Sequence, residues 1–172
     1  MGHSFWGRGK RELTVALVAG LMGFGLAGGV PWDRASAAES TAPSAGPPPP
    51  EYLNADPNTQ APFSDAVRVG SMLYLAGQLG LGKDGKLVPG GITPESERTM
   101  ENLKHTLERN GSSLDRVVSC LLLLADIRDR EAFNDVYSKY FAKARFPARS
   151  AIGTSGLYGG ARVELSCTAV LR

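Results

Sequence analysis

The chain has 172 residues, 42% hydrophobic and 21% charged, with 21 glycines, 11 prolines and two cysteines. This composition excludes a wholly disordered chain, a collagen and a multi-pass membrane protein. The length fits one ordinary domain plus an attached segment. The formal charge of +2 comes from 19 Lys+Arg against 17 Asp+Glu, and its distribution along the chain matters more than its sum.

Arg8, Lys10 and Arg11 form a basic start, an apolar run follows over 13–30, and Ala35-Ser36-Ala37 supplies small residues. These are the parts of a secretory signal peptide. Cleavage is expected after Ala37, with an uncleaved anchor as the alternative. The expected product is exported, periplasmic or secreted, with no stable membrane span after cleavage. Removing 1–37 takes four basic and two acidic residues from the totals of 19 and 17, leaving 15 of each. A neutral domain lacks the basic surface that grips nucleic acid. Residues 38–61, with four consecutive prolines at 47–50, read as a stiff, disordered Pro-rich linker. The globular domain is expected over 62–172.

Within it, 66–69 and 72–78 read as β-strands joined by a Gly70-Ser71 turn. The stretch 80–91 is a glycine-rich loop. Thr93 is expected to cap a helix with Pro94 at its first position, Met100, Leu103 and Leu107 on its buried stripe, and Gly111 past its end. The apolar run 117–124 predicts a strand buried on both faces, and 131–142 a second helix. The stretches 150–153 and 162–171 predict strands around the glycine-rich turn 156–160. The order β-β-α-β-α-β-β gives an α+β sheet with two helices on one face. Two helices cover only one face, so a second subunit is expected on the other.

Several chemistries drop out. His105 is the one histidine after residue 37; it lies off the helix stripe and reads as solvated. It leaves no Ser-His-Asp or multi-histidine zinc site. Gly80-x-Gly82-x-x-Gly85 leads into Lys86-Leu87-Val88-Pro89 rather than a helix, so it reads as a hairpin and not a dinucleotide loop. Cys120 and Cys167 both sit in apolar strand sequence, as a disulfide or as two buried thiols. The last strand alternates, with Val163, Leu165, Cys167 and Ala169 on one face and Arg162, Glu164, Ser166 and Thr168 on the other. Taken alone, Arg149 reads as a surface or ion-paired arginine and Glu164 as a solvated carboxylate beside Arg162.

The stretches Leu75-Ala76-Gly77-Gln78, Asn134-x-x-Tyr137-x-x-Tyr140-Phe141, Pro147-Ala148-Arg149-Ser150 and Val163-Glu164 stand in this order and spacing. In this combination the chain resembles the RidA (YjgF/L-PSP) family of enamine/imine deaminases across about 62–172. The resemblance implies a chorismate-mutase-like fold, a homotrimer with clefts between subunits, and hydrolysis of 2-imino acids to 2-keto acids and ammonia without a cofactor. By the same resemblance Arg149 holds the substrate carboxylate, as a planar guanidinium does through paired hydrogen bonds. Glu164 positions the attacking water, and Phe63, Gly77, Asn134 and Ala151 complete the pocket. The family commonly has tyrosine at Phe63, a hydroxyl residue at Ala76 and cysteine at Ala151. The alternative readings are a non-catalytic trimer binding a small carboxylate and, last, an endoribonuclease.

Overall fold

The computed structural model describes residue 46 and residues 48–172; the expected signal peptide and the start of the expected linker lie outside them. Seven strands form one sheet: β1 (Glu51–Leu53), β2 (Ala66–Val69), β3 (Met72–Leu75), β4 (Gln78–Leu79), β5 (Val117–Leu124), β6 (Ala148–Gly153) and β7 (Val163–Val170). Their order is β1-β2-β3-β7-β5-β6, with β4 beside β7. All pairings are antiparallel except that of β5 with β6. Two helices, α1 (Ile92–Arg109) and α2 (Arg130–Tyr137), complete the α+β fold.

The core lies between helices and sheet. Met100, Leu103 and Leu107 of α1 meet Leu122 and Leu124 of β5, Val163 and Leu165 of β7 and Phe133 of α2, all fully buried. Strand periodicity accounts for β7: Val163, Leu165, Cys167 and Ala169 are buried, and the residues between them are half-exposed. Cys120 and Cys167 are register partners on β5 and β7, and they form a disulfide.

Five differences from the sequence reading have physical causes. The sheet starts at Glu51, inside the stretch read as linker, because β1 pairs with β2 through Leu53 opposite Ala66. The expected strand 72–78 is two strands. Ala76 N–H donates to Asp65 O (3.0 Å) rather than to β7, and Leu75, Ala76 and Gly77 face only Ser166 and Cys167, a β-bulge. The N-cap of α1 is Gly91, not Thr93. Pro94 is tolerated because the first-turn N–H groups have no partner inside the helix. The second helix stops at Tyr137, short of the expected 142. In the single protomer β5 is buried on one face only, leaving Val118 43% and Leu121 39% exposed beside Ile152 of β6 at 49%.

The glycine-rich hairpin is present. Gly82 N–H donates to Lys86 O at 2.8 Å, and Gly85 turns with φ +74°.

Candidate functional site

All the expected site residues except Ala151 line two hollows. The larger, of about 910 Å³, is lined by Phe63, Ala76, Gly77 and Glu164 among others. The smaller, of about 410 Å³, is lined by Asn134, Tyr137, Phe146, Pro147 and Arg149.

Glu164 lies on β7 opposite Leu79 of β4 and Leu123 of β5. Its neighbours Val163 and Leu165 point into the core, so its own side chain points away from the helices. The carboxylate lies directly over Gly77: a Cβ there would fall 1.8 Å from Oε1 and 2.7 Å from Cδ. The bulge at Ala76-Gly77 brings this backbone under the carboxylate, and a side chain at 77 would displace it. Among the described residues Glu164 has no ion-pair partner. Phe63 stands on the rim of the same cleft, held by the 54–65 loop. That loop is closed by Asp65, whose N–H donates to Asn54 Oδ1 (2.9 Å) and whose Oδ2 accepts from Ala55 N–H (2.7 Å).

The start of β7 is clamped by a residue whose role the sequence does not reveal. Glu95 reads as a first-turn acidic residue, yet it is 4% exposed. Its Oε1 accepts from the N–H groups of Arg162 (2.7 Å) and Val163 (3.2 Å), immediately before Glu164.

Arg149 lies on β6 beside Cys120 of β5 and points toward the helices. Its Nη2 donates to Asn134 Oδ1 at 2.5 Å. Its guanidinium carbon sits 4.4 Å above the Tyr137 ring centroid and 5.4 Å above that of Phe133, a cation–π platform. Burial pushes the Arg149 pKa down from its ordinary value, and Tyr137 partly opposes that. Arg149 Nη1 and the Tyr137 hydroxyl are both buried without a hydrogen-bond partner. A half-buried guanidinium with an unpaired donor can bind an anion. The i, i+3 spacing of Asn134 and Tyr137 within the family-like motif is the signal in the sequence for this platform, although that motif alone assigns Tyr137 no role. Ala151, two residues along β6, packs against the core beside Leu122, with no polar side-chain atom to offer.

The structure therefore brings Glu164, Gly77 and Phe63 together, and separately Arg149 and Asn134. It does not join the two groups. They point to opposite sides of the sheet, two strands and three residues apart in register. At ~3.3 Å per residue and ~4.8 Å per strand, that is about 14 Å.

The sequence model described as "Endoribonuclease L-PSP" matches residues 53–171. The chain belongs to this family. A goat 2-iminobutanoate/2-iminopropanoate deaminase is 42% identical over 115 residues, 66% of this chain and 83% of the relative. The crystal structure of YEO7 from yeast superposes with a TM-score of 0.67 at 36% identity, covering 72% of this chain and 100% of that one. RidA from an Antarctic Psychrobacter gives a TM-score of 0.62 at 31% identity, covering 67% and 93%. The L-PSP fold is thus the α+β fold expected.

Proposed function

We propose that the chain is an imine deaminase whose active sites lie between the subunits of a homotrimer. One subunit supplies Arg149 and Asn134; its neighbour supplies Glu164, Gly77 and Phe63. The observation that carries this reading is the separation of Arg149 and Glu164. Each lacks a charged partner among the described residues, yet one small substrate cannot span about 14 Å and two sheet faces. The exposed apolar face around Val118, Leu121 and Ile152 supports self-association, and β6 ends the sheet with an open edge.

In the proposed reaction Arg149 binds the carboxylate of a 2-imino acid. Glu164 takes a proton from water as the water oxygen bonds to the imine carbon, and the C=N electron pair moves to nitrogen. Glu164 returns that proton to nitrogen, giving a neutral amino alcohol. Transfer of the remaining O–H proton to nitrogen then breaks the C–N bond as the C=O bond forms, releasing a 2-keto acid and ammonia. The imine carbon is already electrophilic, so the chemistry requires no cofactor.

Co-expression of Arg149→Ala with Glu164→Gln subunits tests the arrangement. Every mixed trimer has one interface with an intact arginine from one subunit and an intact glutamate from the next. Random assembly therefore restores about a quarter of wild-type activity. If each site lay within one subunit, no mixture would regain activity.

A second reading, a trimer that binds a small carboxylate without turnover, draws on the missing polar groups at Phe63, Ala76 and Ala151. Tight 2-oxobutyrate binding with no imine hydrolysis would select it. An endoribonuclease role, as in the family's description, ranks below both. Of the arginines lining the two hollows, Arg109 is held by Asp65 at 3.1 Å, leaving little positive surface for a polyanion. Export is also proposed: the disulfide suits an oxidising compartment, and intact mass of the exported protein would locate its N-terminus.

A further inference from the structure

The cleft below Glu164 is larger than the smallest 2-imino acids require. Its volume of about 910 Å³ falls among pockets that enclose ligands of drug size, ~300–1,000 Å³, although a neighbouring edge strand would share it in the trimer. Most of the polar part of its lining is already engaged, the exposed His105 and the Tyr158 hydroxyl excepted. Asp65 pairs with Arg109 at 3.1 Å. Gln78 Nε2 donates to Ala76 O (3.1 Å), and its Oε1 accepts from the Thr106 hydroxyl (3.2 Å). Asn102 Nδ2 donates to Leu79 O (2.8 Å) and Leu81 O (3.0 Å).

A substrate group extending away from Glu164 therefore meets mainly Phe63, Ala76, Leu79, Leu81 and Tyr158. Phe63 is 63% and Tyr158 79% exposed, a large apolar area left open beside a carboxylate. No hydroxyl projects from Phe63 or Ala76 to hold a small polar substrate, and polar groups are what reject near-isosteres.

We propose that the imino acids accepted here carry large apolar or aromatic side chains, of the size of those of leucine or phenylalanine, in preference to methyl or ethyl groups. The inference rests on the deaminase reading and adds its substrate class. With the carboxylate on a neighbour's Arg149 and the imine carbon beside Glu164, the side chain lies along Phe63, Leu79 and Leu81. Removing it from water favours the larger substrate.

The test uses the purified full-length protein with an L-amino acid oxidase generating imines from leucine, phenylalanine and alanine. Semicarbazide traps whatever escapes hydrolysis. One methylene in an apolar pocket is worth ~10–200-fold in discrimination, so kcat/KM for the two larger imines is expected to exceed that for the alanine imine at least about tenfold. An equal or reversed ratio overturns the substrate class and leaves deamination standing. Failure to hydrolyse any imine overturns the deaminase reading and this inference with it. Phe63→Ser, at a mostly exposed position that folding tolerates, should pull the ratio toward one; an unchanged ratio removes Phe63 from the wall.

Discussion

Replacing Gly77 by alanine tests the geometry around Glu164 most directly. The added Cβ would lie 1.8 Å from Oε1, 2.7 Å from Cδ and 2.9 Å from Cγ of Glu164. Ordinary contact between such atoms is ~3.5 Å, so the carboxylate oxygen must retreat by about 1.7 Å. The displaced atoms are the end of a flexible, partly solvated side chain rather than backbone. The cost in stability is therefore expected to stay below ~1 kcal/mol, typical of a tolerated substitution. A misplacement of ~1 Å at reacting groups lowers rates by ~100-fold. Gly77→Ala is thus expected to lose at least about 100-fold in kcat/KM, close to the loss in Glu164→Gln, while its urea midpoint barely moves. Imine consumption measured by semicarbazide trapping, alongside urea denaturation, separates the two effects. Wild-type turnover in Gly77→Ala would show that the carboxylate's position over residue 77 is irrelevant to catalysis. A large fall in stability with proportionate loss of activity would show that the glycine serves the fold alone.

Four other outcomes are expected. Tyr137→Phe removes a buried hydroxyl that has no partner, so it should be neutral or stabilising by up to ~1 kcal/mol in urea denaturation; a loss beyond that would reveal a partner. Glu95→Ala strips the acceptor from two N–H groups at the start of β7 and should cost ~2–3 kcal/mol, with Glu95→Gln recovering part of it because an oxygen acceptor remains. Reducing the disulfide opens a loop of 47 residues' separation, and chain entropy places the loss near ~4 kcal/mol; denaturation with and without dithiothreitol reads it, and a change below ~1 kcal/mol would refute it. Burial and the hydrogen bond to Glu101 raise the Tyr140 pKa to about 12. The folded state thus favours the protonated phenol, and this contribution is complete below the free-tyrosine value of ~10. It is lost as pH climbs toward 12, so wild type should lose more stability than Tyr140→Phe between those limits.

The parts legible from sequence are those governed by local periodicity. The alternation through Val163, Leu165, Cys167 and Ala169 predicts both faces of β7, and the spacing of Met100, Leu103 and Leu107 predicts the buried stripe of α1. Where a distant partner decides, the pattern is silent. Glu51–Leu53 follow four prolines and become a strand because β2 offers an open edge. The bulge at Ala76-Gly77 depends on Asp65 taking the Ala76 N–H. Glu95 carries the same letter whether it lies solvated on a first turn or buried against β7. Arg149 and Glu164 could be singled out by resemblance, but no spacing in the chain tells that they point to opposite sides of one sheet.

The bond between Cys120 and Cys167 has a consequence for parity. Side chains alternate along a strand, so a slip of one residue between β5 and β7 would turn Glu164 into the core and expose Val163 and Leu165 to water. Both ladders that meet β7 contain an irregularity, at Val118 on one side and at Leu75–Gly77 on the other, and each marks a place where a slipped alignment lies close by. A covalent tie between two directly opposed residues permits one alignment and forbids its neighbours. It acts as an index mark for the sheet, fixing which residues face outward before any substrate or second subunit arrives.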